Sequence, residues 1–119
     1  MKTFLASLTI LLMICLQGKV LAGDLPQTKW VGDLPIMPEL TVEPGLGFAF
    51  ESPSGRIVMI YLSGAMSQEM LKSYYDEALI PLGWKPVGSF SWARENERLK
   101  IEEVTTAGGK LWKIILQPE

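Results

Sequence analysis

Turn signals flanked by alternating apolar residues constrain the fold of this chain more than any other feature. The stretches "LGFAFE" and "RIVMIYL" enclose Ser52–Gly55, where Pro53 and Gly55 stand at positions that a type I turn favours. This spacing predicts a β-hairpin whose large apolar residues share one face. Its expected pairs are Glu51 with Arg56, Phe50 with Ile57, and Phe48 with Met59.

Two further hairpins are expected near the C-terminus. "SFSWAR" and "ERLKIEEV" meet across "RENE", and Gly108-Gly109 marks a two-residue turn between "IEEVTT" and "KLWKIILQ". The expected pairs are Phe90 with Ile101, Trp92 with Leu99, Ile101 with Leu116, Glu103 with Ile114, and Thr105 with Trp112. These registers predict one apolar core face. On the opposite side they predict a second apolar surface, which the preceding proline-rich segment or another subunit covers. Its expected members are Val58, Ile60, Leu62, Val104, Leu111 and Ile115.

Between these strands the sequence has the pattern of one amphipathic helix. Ser67 is a favoured N-cap residue, and Glu69 lies in the first turn. Apolar side chains recur with helical spacing over residues 70–82. Pro81 and Gly83 predict the end of the helix, because proline has no amide hydrogen and glycine accepts left-handed backbone angles. The expected fold is α+β, a β-β-α-β-β-β antiparallel sheet with one helix packed on a face.

A proline-rich segment precedes this domain. Residues 23–45 hold four of the eight prolines and contain the tetrapeptide "GDLP" twice. Proline spacing of this kind predicts an extended arm. The apolar side chains of the arm indicate that it lies against the domain or against a partner. The α+β domain itself is expected at residues 46–119.

The first 22 residues have the pattern of a signal peptide. Lys2 is followed by an apolar run from Phe4 to Leu16, and Val20-Leu21-Ala22 suits cleavage before Gly23. The run is short for a bilayer span, which needs roughly 20 apolar residues. We therefore expect an exported protein, either periplasmic or extracellular. The alternative is an inner-membrane anchor at residues 4–22, and membrane association is expected only if the signal segment is not cleaved.

The composition excludes several kinds of chemistry. The chain has no histidine, and its one cysteine, Cys15, lies in the predicted signal peptide. The exported part therefore has neither imidazole nor thiolate groups, so we expect a non-enzymatic protein without metal or cofactor. Serine- or carboxylate-based catalysis stays open as an alternative. Acidic residues outnumber basic ones, 13 to 11, and no basic stripe is present, so nucleic acid is not an expected partner.

Six aromatic or apolar residues are the expected contact positions. They are Trp30, Ile36 and Met37 on the proline arm, and Tyr74, Tyr75 and Trp84 on or next to the helix. They predict a small exported, non-catalytic binding or assembly module of the bacterial cell envelope, acting through an unidentified envelope protein or through self-association. The alternative is a small apolar ligand or lipid bound between helix, sheet and arm.

Three stretches resemble a group of small exported bacterial proteins of unknown function. They are "DLPIMPEL" at residues 33–40, "PGLGFAFESPSGRI" at residues 44–57, and "YYDEALIPLGW" at residues 74–84. In that group a D-L-P-x-M-P-x-L opening leads to a P-G hairpin and to a helix that ends in L-G-W. The resemblance implies export and the order of these elements, and it implies no catalytic or binding residue.

Overall fold

An antiparallel sheet of seven strands organises the structure, a computed structural model that describes residues 25–119. The strands are β1 (Thr41–Val42), β2 (Phe48–Ser52), β3 (Gly55–Ser63), β4 (Lys85–Gly88), β5 (Ser91–Arg94), β6 (Glu97–Thr106) and β7 (Gly109–Pro118). The helices are α1 (Pro26–Trp30) and α2 (Gln68–Leu79), with a short 3₁₀ turn at Ile80–Leu82. The α+β class expected from the sequence is confirmed. The predicted signal peptide and the alternative membrane anchor lie outside the described residues.

Two of the seven strands were not predicted from the sequence. The order across the sheet is β1-β3-β7-β6-β5-β4, and β2 also pairs with β3. Both unpredicted strands are short: β1 has two residues and β4 has four. β4 also contains Pro86 and a register shift before Gly88. Neither has the alternation that identifies a strand in sequence. The predicted order β-β-α-β-β-β is therefore corrected to β-β-β-α-β-β-β-β.

The first predicted hairpin is confirmed with its register. The pairs are Glu51 with Arg56, Phe50 with Ile57, and Phe48 with Met59. β1 and β2 lie on the same edge of β3, because Leu62 and Met59 each have β7 on their other side. Pairing with β3 is interrupted between β1 and β2. There Gly47 has φ +90°, and a Cβ atom at this position would overlap the carbonyl oxygen of Met59.

The register predicted for the last hairpin was wrong by two residues. Thr106 pairs with Gly109, so the turn is Ala107-Gly108 and not Gly108-Gly109. The observed partners of the three residues concerned are Ile114 for Ile101, Trp112 for Glu103, and Lys110 for Thr105. Side chains alternate between faces with a period of two, so a slip of two residues leaves every side chain on its predicted face. The core face of this hairpin therefore agrees with the prediction although the pairs do not.

The assignment of β3 to the second apolar surface is corrected. Val58, Ile60 and Leu62 were expected on the side opposite the core. They lie on the core face instead, because their partners in β7 are Leu116, Ile114 and Trp112. All six side chains are buried. The other face of β3 carries Ile57, Met59 and Tyr61, which are only half-buried.

The predicted start and end of helix α2 match the structure. The Ser67 side chain accepts a hydrogen bond of 3.1 Å from the Met70 amide, which confirms the N-cap. After Pro81, Gly83 has φ +92° and donates its amide to Ile80, while the Trp84 amide donates to Leu79 over 3.2 Å. Such bonds satisfy carbonyls at a helix end and reverse the chain. The buried face of α2 consists of Leu71, Tyr75 and Leu79.

The segment before β2 was expected to be an extended arm, and its described part is not extended throughout. Pro26 begins the five-residue helix α1, a position where proline is favoured because its missing amide hydrogen is not needed. The rest of the segment packs into the same core as α2 and the sheet. Its buried apolar residues are Val31, Leu34, Met37, Leu40 and Val42.

The hydroxyl of Tyr75 joins helix α2 to this segment. It donates a hydrogen bond of 2.9 Å to the Pro35 carbonyl and accepts one of 3.3 Å from the Met37 amide. The side chain is fully buried, and burial raises the pKa of the hydroxyl. Tyr75 therefore stays neutral near neutral pH, and its hydroxyl acts as both donor and acceptor.

We expect Tyr75→Phe to lower the free energy of unfolding by about 1–3 kcal/mol, because a buried amide and a buried carbonyl each lose their partner. Tyr61→Phe is the matched control, since Tyr61 is half-buried and, within residues 25–119, its hydroxyl donates one hydrogen bond, of 3.4 Å, to the Met59 sulfur. Its effect should stay within about 0.5 kcal/mol. Urea unfolding followed by tryptophan fluorescence measures both. Equal destabilisation by the two variants would contradict the role given to Tyr75.

Candidate functional site

Of the six expected contact residues, three are buried in the core, Tyr74 lies at its margin, and two line separate cavities. Met37, Tyr75 and Trp84 are buried, with at most 5% of their surface exposed. Trp84 lies under the guanidinium of Arg94, whose central carbon is 4.4 Å from the ring centroid. These three side chains fill the space between α2, the sheet and the N-terminal segment, and in this structure they bind other parts of the chain.

Tyr74 lies at the margin of this core. Its ring stands edge-on to Tyr75, with the centroids 4.9 Å apart. Partial burial raises the pKa of the Tyr74 hydroxyl, and the negative charge of Glu39 adds to this effect. Of the two expected contact residues on α2, Tyr75 is buried and Tyr74 is partly exposed.

Ile36 lines an apolar cavity of about 350 Å³ on the outer side of the N-terminal segment. Its walls come from Leu25, Thr28, Ile36, Pro38, Leu40, Thr41 and Val42. The cavity is at the small end of the range for ligand pockets, roughly 300–1,000 Å³. The cavity can accommodate an apolar group. Tyr75 and Trp84 are not among its walls.

Trp30 lines a different space, a cleft of about 410 Å³ between α1 and the edge strand β2. The cleft is amphipathic. Its apolar walls are Trp30, Ala49, Phe50 and Val58, and its charged walls are Lys29, Glu51 and Arg56. The guanidinium of Arg56 is already occupied. It binds the Glu97 carboxylate at 2.8 Å and the Trp30 carbonyl at 3.3 Å.

An ionic contact fastens the N-terminal segment to the end of the sheet. Arg94 donates to the Asp33 carboxylate at 2.9 Å and to the Leu82 carbonyl at 3.0 Å. The Arg94 guanidinium beside Asp33 holds the pKa of that carboxyl below its usual value. This contact also holds Arg94 over Trp84. It is a structural arrangement, because the charges that it contains are already paired.

The structure places a group of apolar residues at the surface that the sequence did not identify as a site. Leu46, Phe48 and Phe50 expose 43%, 43% and 51% of their surfaces. The two phenylalanine rings are stacked, with centroids 5.9 Å apart. Ile57 and Met59 lie opposite them on β3. We call Phe48, Phe50, Ile57 and Met59 the edge patch; these four residues lie on the sheet face opposite α2.

The sequence predicted which residues of the edge patch share a face, but not that this face is exposed. The first hairpin already placed Phe48, Phe50 and Met59 on one face. It could not show that α2 covers the other face, since both faces of β3 are apolar. Exposure of the patch therefore depends on a long-range pairing, that of β3 with β7.

Residues 25–119 contain neither a cluster of metal ligands nor a membrane-spanning helix. No group of three or more acidic side chains is placed to hold a metal ion there. None of the helices in this range is long and apolar enough to cross a membrane.

We expect the contribution of the Asp33–Arg94 contact to depend on pH. A carboxyl whose pKa is lower in the folded than in the unfolded chain stabilises the fold above its unfolded pKa, about 3.9, and loses that contribution as the pH falls through the folded pKa. Asp33→Asn should therefore lower the urea midpoint at pH 7, and the difference from the unchanged protein should narrow below about pH 4. Glu77→Gln, which removes an exposed carboxylate from α2, is the control and should have little effect. A difference that stays constant down to acid pH would contradict the role of the contact.

Comparison with known proteins identifies no family. No family model matches the chain, and neither a curated protein nor a solved structure is similar to it.

Proposed function

We propose that this protein is a small exported, non-catalytic binding or assembly module of the bacterial cell envelope that docks a protein partner on its edge patch. The observation that supports this proposal is the exposure of Phe48 and Phe50, side by side, on a strand. Contiguous exposed apolar surface on a folded domain marks interaction sites. Aromatic residues supply much of the energy of protein interfaces.

The edge patch is also held in place before any partner binds. Its residues stand on two paired strands, and β3 is paired along its other edge with β7. Side chains on a rigid sheet lose little conformational freedom on binding, so more of the burial energy is available as affinity. The turn at Pro53 and the bend at Gly47 limit the patch at its two ends.

The non-catalytic part of the proposal rests on the side chains available. Residues 25–119 have neither histidine nor cysteine, so proton transfer near neutral pH would depend on carboxyl groups. Three of these carboxylates, those of Asp33, Asp76 and Glu97, are bound to arginine or lysine. The hydrogen bond from Arg94 lowers the pKa of the Asp33 carboxyl, so this group stays charged, which suits a structural role better than acid catalysis.

The exported location in the proposal rests on the sequence of the first 22 residues. A basic start, an apolar run and small residues at Val20-Leu21-Ala22 are the features of a cleaved signal. A partner in the periplasm or at the cell surface follows from that location.

We expect Phe48→Ser combined with Phe50→Ser to abolish capture of the partner and to leave the fold intact, because Phe48 and Phe50 are 43% and 51% exposed and neither belongs to the buried core. The test is affinity purification of the C-terminally tagged protein from detergent-solubilised envelopes, followed by mass spectrometry. Val87→Ser is the matched control, since Val87 is 50% exposed and lies on β4 at the far edge. Capture of one stoichiometric protein by the control and not by the double variant supports the proposal. Equal capture by both, or by neither, contradicts it.

A second candidate function is the binding of a small apolar ligand or lipid, and the cavity at Ile36 favours it. Its 350 Å³ and its mostly aliphatic walls would accept part of an acyl chain. We expect palmitate to raise the melting temperature, because a ligand that binds the folded state stabilises it. Ile36→Trp, which fills the cavity, should remove that increase. Met70→Trp, at an exposed position of α2, should not. An unchanged melting temperature in the original protein would exclude the cavity as a fatty-acid site.

A further inference from the structure

The two outer edges of the sheet differ in how they are protected. At one edge, β4 has Lys85, Pro86 and a register shift, all of which hinder pairing with a further strand. At the other edge, β2 reads Phe-Ala-Phe-Glu-Ser, without lysine, proline or a register shift. Within residues 25–119, β2 is hydrogen-bonded to β3 and to no other strand. Its outer edge is therefore open to another strand.

The direction of the peptide groups in β3 follows from one hydrogen bond. The Tyr61 carbonyl accepts a bond of 2.9 Å from the Glu43 amide, so Tyr61 directs its peptide groups towards the edge that β1 and β2 occupy. Peptide groups point to opposite sides at successive residues of a strand. Met59 and Ile57 therefore direct theirs to the same edge, towards β2.

The free hydrogen-bonding groups of β2 belong to Ala49 and Glu51. Phe48 and Phe50 lie opposite Met59 and Ile57, so their peptide groups bond to β3. The groups of Ala49 and Glu51 consequently point outwards. An incoming antiparallel strand would bond to these two residues.

We propose that β2 pairs antiparallel with β2 of a second copy of this chain, with the two Phe50 residues facing each other across a two-fold axis. All five residues, 48–52, are paired in this register. Ala49 lies opposite Glu51 of the second copy, and the two such pairs form four backbone hydrogen bonds. The two seven-stranded sheets become one continuous sheet. This inference goes beyond the proposed function and does not depend on it.

Charge complementarity favours a second copy as the occupant. Lys29 and Glu51 both line the cleft beside β2, and within the described residues neither side chain makes an ion pair. Ala49, also at the cleft, has a small side chain that leaves room above it. In the proposed register Glu51 of the second copy lies opposite Ala49 and enters this cleft beside Lys29. The two-fold axis repeats the contact, so both pairs of free charges are used.

The register also avoids the repulsion that often opposes pairing of identical strands. Glu51 is the only charged residue of β2, and it faces Ala49 of the second copy, not another Glu51. On the opposite face Phe50 meets Phe50 of the second copy in a pair without backbone hydrogen bonds, where side chains are closest. The two edge patches then form one apolar strip that remains available to a further protein.

The central test is a disulfide between copies. Facing residues in a pair without hydrogen bonds have Cα atoms about 4.5 Å apart, within the range that a disulfide needs. We expect Phe50→Cys, in a full chain that also carries Cys15→Ser, to give a covalent dimer under mild oxidation. Val87→Cys in the same background is the control, because it is equally exposed but lies on β4. Little dimer is expected from it.

The reversible dimer is measured by sedimentation equilibrium of the protein purified from envelopes in mild detergent. Ala49→Pro removes an outward N–H, so it should shift the protein to the monomer. Lys29→Glu alone should raise the dissociation constant about tenfold, since two ion pairs are replaced by two repulsions. Lys29→Glu combined with Glu51→Lys should restore it, because the charges then match again. The restoration distinguishes the proposed register from a general loss of stability.

The outcomes separate this inference from the proposed function. A monomer at every accessible concentration overturns the inference, even if the edge patch captures an envelope protein. A dimer that survives both Ala49→Pro and Lys29→Glu also overturns it, since another surface must then hold the copies together. A dimer with the expected disulfide and charge dependence supports it, whether or not a partner is captured.

Discussion

Helix α2 and the N-terminal segment pack against the same face of the sheet, and most other features of the structure depend on that arrangement. The Tyr75 hydroxyl holds the two together through Pro35 and Met37. The centre of the core face is then covered, with Ile60 and Leu62 inaccessible to solvent. The opposite face has no such layer within the described residues, so its large apolar residues stay at the surface.

An uncovered apolar face is costly in a protein that works alone. Burying apolar surface contributes about 25 cal/mol per Å², and the rings of Phe48 and Phe50 forgo much of that contribution. Charged residues partly protect the same face farther along the sheet, where Glu102 pairs with Lys113 at 3.3 Å. No such pair lies over the edge patch. The unprotected region is therefore local, as expected for a contact surface.

Local signals made the hairpins and the helix predictable, and long-range pairing decided the rest. The turn at Pro53 and the stop at Pro81 and Gly83 act within a few residues, so sequence patterns locate them. The last hairpin slipped by two residues because Gly108-Gly109 suits a turn at either of two positions, and both keep the same face buried. The faces of β3 could not be assigned, since Val58 and Met59 are equally apolar and the register with β7 alone separates them.

The candidate site was less predictable than the fold, for a related reason. Aromatic residues are expected both in cores and at interfaces, so composition does not tell Trp84 from Phe50. Trp84 is buried because the helix stop turns it under Arg94. Phe50 is 51% exposed because its side chain stands beside Phe48 on the sheet face opposite α2, and Phe50 also lines the cleft beside Lys29 and Trp30. The burial of each aromatic residue is thus decided by an element that is distant in sequence.

The N-terminal segment also determines the shape of the sheet at the β2 edge. The buried Gln27 side chain donates to the Pro44 carbonyl at 2.8 Å and to the Leu46 carbonyl at 3.3 Å, which fixes the bend that leads into β2. Arg56 connects the Trp30 carbonyl to Glu97 on β6. These contacts hold the open strand, the cleft and the edge patch in one arrangement. Because this order is established on folding, a partner strand or protein would bind without first ordering the surface that it contacts.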